Sequence, residues 1–212
     1  MTLRCSYFKG MFANEPLGEY TMHASIYELT ATCHHEAGHA VVNYMQGASL
    51  DSVGVYGHVD GDTVAYGGEV KQKGKHAVRI AYAYRPLHFK LGLSAVAGPA
   101  AELRFKHDNE LPKRLLGASE GDHKIVDSIG KAIEQHGRCR HAFQRHVWRH
   151  AQQLVDRQDV WEAIVAVAHA LQDEAMMEVD LDADGTHWAH ISPRLVYREC
   201  RRAGLKRGQL AA

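Results

Sequence analysis

His34-His35-Glu36-Ala37-Gly38-His39-Ala40 is the stretch from which the rest of the chain is read. His35 and His39 stand four residues apart, so on a helix their imidazoles leave one face a turn apart and can converge on a single ion. Two such nitrogens, each bonding at about 2.0–2.1 Å, form half of many zinc sites. Glu36 follows the first of them, which sets its carboxylate beside such an ion rather than on it. From there it can take a proton from a water whose pKa the metal has lowered toward about 7, and pass it to a leaving amine. His34 points about 100° away from His35 and cannot join the same site; it reads as a surface histidine or one that supports the site from outside. A hydrolytic zinc site needs a third protein ligand and keeps a fourth position open. Helix spacing cannot name that ligand.

Around the motif the pattern is that of an amphipathic helix from about Ser25 to Gln46, with Ile26, Leu29, Val42 and Met45 at helix-compatible spacings. Ser25 is a candidate N-cap with Glu28 three residues on, and Gly47 a candidate C-terminal stop. Two β-like runs follow, Ser52–His58 and Thr63–Lys71, joined by the turn-prone Asp60-Gly61-Asp62. Leu87–Phe105 is apolar and helical, with Pro99 either kinking it or restarting it. Gly117 to Asp122 reads as a loop leading into a helix that ends near Gln135. Helices are expected over Arg140–Val155 and Asp159–Met177, then a polar turn at Asp180–Gly185 and a short helix from Ser192-Pro193. The domain plan is an arm over 1–24, one domain over 25–200 and a tail over 201–212. The fold class expected is mainly α with a small β-sheet, α+β, the His35–His39 helix at its centre.

The 212 residues suit one domain with a sizeable core, 45% hydrophobic and 24% charged. Lys plus Arg and Asp plus Glu each count 25, so no electrostatic footprint for nucleic acid or an anionic membrane is expected. No run of 18 apolar residues exists to span a membrane. Cys5, Cys33, Cys139 and Cys200 are scattered, as reduced thiols in a cytoplasmic protein would be, and the first residues lack the apolar stretch of a signal peptide. With 16 histidines in the chain, an isolated one carries little weight.

The stretch His35-Glu36-Ala37-Gly38-His39-Ala40-Val41-Val42 resembles the zinc helix of the FtsH-type peptidase domain, the proteolytic half of membrane-anchored AAA proteases. Val96-Ala97-Gly98-Pro99-Ala100-Ala101-Glu102-Leu103 is similar to that family's small-residue helix, Gly117-Ala118-Ser119 with Asp122 to its ligand loop, and residues 140–178 to its C-terminal helical pair. The resemblance implies a zincin-like helical peptidase domain with one Zn²⁺ per chain, held by His35, His39 and Asp122, with Glu36 as general base. Glu102 is the main rival ligand, or else an acceptor that orients a ligand histidine. The loop is one residue longer than the family's before Asp122, which brings in Glu120 as a further candidate. His123 and Tyr66 are candidate oxyanion donors. Val64, Ala65, Tyr66, Gly67 and Gly68 correspond to the family's edge strand, which can pair with an extended peptide.

The function expected is hydrolysis of peptide bonds in peptides or unfolded segments by a zinc-activated water. No G-x-x-x-x-G-K-[ST] occurs, so the isolated chain should act without ATP. Partners would be the peptide substrate, other copies in a homo-oligomer, or a separate ATPase. The alternative is a non-catalytic, metal-containing module that binds a peptide or partner; a retained Glu36 argues against it, since a structural site needs no base.

Overall fold

In the computed structural model the described residues are 2–6, 19–60, 63–73, 85–107, 120–135, 137–177 and 186–210. The chain order is β1 (Thr2–Ser6), α1 (Glu19–Met45), β2 (Leu50–Asp60), β3 (Thr63–Gln72), α2 (Arg85–Phe105), α3 (Glu120–Glu134), α4 (Arg140–Val155), α5 (Gln158–Met177), β4 (Thr186–Ile191) and α6 (Pro193–Arg202). Mainly helical with one small antiparallel sheet, it has the expected α+β character. No helix among the described residues is long and apolar enough to cross a membrane.

α1 is the axis of the molecule. One side packs on β2 and β3, another on α2, and a third on α5. Every residue from Ala31 to Met45 is buried, so the apolar stripe expected of an amphipathic helix is replaced by burial all round. The helix begins at Glu19, upstream of Ser25, which is therefore an interior residue and no cap; serine is only mildly unfavourable within a helix, and tertiary packing overrides it. Its C-terminal end is as expected. Gly47 takes φ 83°, its N–H bonds to the Tyr44 carbonyl (2.9 Å), and the Ala48 N–H reaches back to Asn43 (3.0 Å), the paired bonds of a Schellman stop.

The sheet order is β1-β3-β2-β4, antiparallel throughout. β2 and β3 form the expected hairpin, in register from Ser52↔Lys71 to Asp60↔Thr63, and its two-residue connection (61–62) lies outside the described residues. Val53, Val55 and Val70 point into the core against α1. Two strands were not anticipated. β4 lies along β2 from Val53↔Ile191 to His58↔Thr186, and β1 lies along β3 from Thr2↔Lys71 to Ser6↔Gly67. The region read as a loose N-terminal arm thus supplies a strand and the start of α1. Residues 203–210 fold back rather than trail away: Leu205 is buried, and the Leu210 N–H bonds to the Met45 carbonyl (2.8 Å).

α2 is unbroken through Pro99, neither kinked into two helices nor restarted. α4 and α5 match the expected helical pair, and Asp159, in the first turn of α5, accepts the Val160 N–H (2.9 Å) and pairs with Arg157. Ser192 and Pro193 open α6.

Candidate metal centre

Each imidazole of the motif is held from behind by an acceptor. His39 donates its Nδ1–H to the backbone carbonyl of Ser94 (2.7 Å), and His35 donates its Nδ1–H to Glu102 Oε2 (3.0 Å). A carbonyl and a carboxylate only accept, so each ring carries a proton on Nδ1, and in its neutral form each presents the lone pair of Nε2. Those two atoms lie 3.1 Å apart, and each is 3.1 Å from Asp122 Oδ2. Three acceptors facing one another at that distance repel unless a positive charge stands among them. Tetrahedral zinc, with bonds of about 2.0–2.1 Å, spaces its ligands about 3.3–3.4 Å apart, close to this triangle. His35, His39 and Asp122 are accordingly the group among the described residues that could hold a metal ion.

The supports are themselves fixed. Ser94 donates its hydroxyl to Asn43 Oδ1 (2.7 Å), which also accepts from Gln72 (3.1 Å), so one buried amide ties α1 to α2 and β3. Glu102 is braced by Lys106 (3.0 Å), which bridges in turn to Glu28 (3.2 Å). Two glycines give the side chains room. A Cβ on Gly98 would stand 2.7 Å from Cδ2 of both His35 and His39, and one on Gly68 would stand 2.6 Å from Glu36 Cδ. α1 and α2 also meet backbone to backbone at Gly38, where a Cβ would come within 2.6 Å of the Ala97 carbonyl oxygen.

The electrostatics separate the two carboxylates. Burial alone would raise the Asp122 carboxyl, but His39 and His35 against it hold it well below the usual carboxylate range. Conversely, burial would lower the His39 imidazole, yet Asp122 prevails and raises it. Glu36 accepts no hydrogen bond from any described residue at either oxygen, nor does Asp122 at Oδ1, although all three atoms are buried. Burial pushes the Glu36 carboxyl up to about 7; His35 and His39 pull it down, while Asp122 and Glu69 push it further up. It is thus placed to exchange a proton near neutrality.

His35, Glu36, His39 and Asp122 come together as the sequence suggested, from two elements. Asp122 lies in the first turn of α3, which starts at Glu120, so the extra loop residue does not keep its carboxylate from the histidines. The expected Gly117–Ser119 loop and the Glu120 side chain lie outside those described. Glu102 contacts His35 at Nδ1 rather than joining the triangle. Tyr66 and His123 are half-buried on β3 and α3.

Two expectations need correction. His34 is buried, not at the surface; it stacks on Phe105 (centroids 4.3 Å apart) beside Trp161 and donates to the Thr30 carbonyl, with burial holding its pKa down. Gly67 and Gly68 do not lie on an open edge, because β1 pairs with them at Ser6 and Cys5; among the described residues only Val64, Ala65 and Tyr66 of that run extend beyond β1. Reading the sequence also missed Ser94, Gly98 and Glu69. The small residues around Gly98 were visible, but a carbonyl acceptor carries no side-chain signal, and Glu69 gains meaning only from the sheet register. The chain matches no model of a known family and no curated protein sequence.

Proposed function

We propose that the chain is a zinc-dependent peptidase of the FtsH-type, zincin-like kind, which hydrolyses peptides or unfolded segments without ATP. One observation carries the reading: three buried acceptor atoms, 3.1 Å apart in every pair, converge beside a buried carboxylate whose oxygens no described residue engages. A structural metal site has no use for the second feature. His35, His39 and Asp122 would hold the ion, which when bound supplies Lewis acidity toward water and a peptide carbonyl. Nδ1 donation to Ser94 and Glu102 keeps each ligand nitrogen a lone-pair donor and fixes its ring. Glu36 takes the proton of the attacking water and returns it to the leaving amine. Its buried seat against Gly68 keeps bulk water from levelling its basicity.

The test is Glu36→Gln. The amide keeps the shape but cannot take a proton, so turnover of a casein peptide should fall by about 10²–10⁴-fold with zinc content unchanged. Chelation should abolish wild-type cleavage and zinc restore it. Full activity in a zinc-replete Glu36→Gln protein would sink the mechanism.

A further inference from the structure

We propose that β1 is an internal occupant of the peptide-binding edge, so that residues 2–6 hold the chain in a self-inhibited form until they are displaced. This rests on the peptidase reading above and adds its regulation. An extended peptide that is to reach Glu36 must pair with the strand that lies against Glu36. That strand is β3, since Gly68 leaves no room for even a Cβ beside the Glu36 side chain. One side of β3 is taken by β2 along its whole length. On its other side lies β1, with Cys5 directly opposite Gly68 and five residues in register from Thr2↔Lys71 to Ser6↔Gly67. α3, which brings Asp122 to the histidines, packs against β1. Thus β1 takes the free side of the strand that seats the base and touches the helix that carries the third ligand.

A peptide added outside β1 would not serve. It would run two strand spacings from β3, roughly 9.5 Å, where Glu36 cannot reach its carbonyl. The arrangement also offers a way in. Val64–Tyr66 of β3 extend past the last β1 pair at Gly67, and Val64 is exposed. An incoming strand can begin pairing there and peel β1 toward Lys71, exchanging ladder bonds one for one. With five residues, β1 is short enough for such exchange.

The experiment uses the full chain in the zinc-loaded Glu36→Gln form, with a short fluorescein-labelled casein peptide followed by anisotropy. Leu3→Pro with Arg4→Pro removes the ladder N–H whichever of the two residues bears it. If β1 is docked at least 90% of the time, freeing it should tighten binding at least about tenfold. A synthetic peptide of residues 1–7 added in trans should then compete. Thr2→Cys with Lys71→Cys, in a Cys5→Ser background, locks β1 in place when oxidised; peptide binding should vanish and return on reduction. That comparison is internal to one protein and decides the matter if the proline variant does not fold. An oxidised lock that binds the peptide as well as its reduced form overturns the proposal, as does a freed, folded edge that binds nothing. Cleavage is scored separately with Glu36 intact: a freed edge that binds but never cleaves refutes the peptidase reading and leaves β1 as the occupant.

Discussion

Glu102 acts on the candidate ion only through His35, and that separates it from Asp122. Asp122 Oδ2 is one corner of the triangle, so Asp122→Ala removes a ligand and leaves two imidazoles whose Nε2 atoms are 3.1 Å apart with no carboxylate oxygen bridging them. Glu102 instead accepts the His35 Nδ1–H and is neutralised by Lys106. Its loss frees the ring to rotate and weakens the basicity of Nε2, an effect typically worth about 10–100-fold in metal affinity. Competition with a zinc chelator should therefore rank Asp122→Ala as losing the metal outright and Glu102→Gln as weakening it by that smaller factor. The reverse ranking would exchange their roles. Elemental analysis of the purified protein belongs with this test, because two histidines and one carboxylate also suit non-haem iron; about one zinc per chain is expected.

At the level of elements, the site depends on how closely α2 approaches α1. Gly98→Ala is the sharpest probe of that approach. Alanine is a better helix former than glycine by about 0.8–1.0 kcal/mol, so propensity alone would make the variant more stable. Yet the added Cβ would stand 2.7 Å from Cδ2 of both imidazoles, and neither ring can retreat without leaving Ser94 or Glu102. The clash should win at the site even where it loses in the helix. Zinc content should fall sharply while far-UV circular dichroism stays near wild type; undiminished zinc in Gly98→Ala would mean that α2 yields more easily than its packing implies. The same elements show what the sequence could and could not reveal. A four-residue spacing is enough to put His35 and His39 on one helix face, so that half of the site was legible. Asp122 was reachable only through resemblance, because a ligand from α3 has no fixed spacing from α1. β4, Thr-His-Trp-Ala-His-Ile, carries a two-residue period, but histidines on both faces blur it. β1 is five residues long, too short for its period to stand out, and the covering of Gly67 and Gly68 is a property of strand order. α1 was expected to be amphipathic, but Thr32, His34, Glu36 and Asn43 are each buried in the fold, and their polar groups serve the site, its braces or the core.

For the whole molecule, burying this much titratable chemistry at its centre makes stability depend on pH and on the metal together. In the metal-free chain the Glu36 carboxyl is raised to about 7, chiefly by burial. Its contribution to stability is complete below its ordinary value of 4.5 and is lost as pH rises through about 7, since the charged form must then be buried. His39 is also raised, through Asp122 and against the effect of burial. Its contribution is complete below the ordinary 6.5 and is lost as pH rises through its folded value. Asp122, held low by the two histidines, contributes above 3.8 and loses that only as pH falls through a still lower value, so it is constant near neutrality. The signs agree: between pH 5 and 8 these groups make the metal-free fold progressively less stable as pH rises. Zinc acts in the opposite sense. It requires both imidazoles deprotonated and Asp122 ionised, so its affinity grows over the same window, and a ligand that binds only the native state stabilises it by RT ln(1 + [L]/Kd). The difference in melting temperature between zinc-loaded and chelator-treated protein should therefore widen steadily from pH 5.5 to 8. In a His35→Ala/His39→Ala variant, which retains the helix but not the ligands, that difference should be close to zero at every pH. A difference that narrows as pH rises, or that persists undiminished without the two histidines, would place the stabilising metal somewhere other than at this triangle.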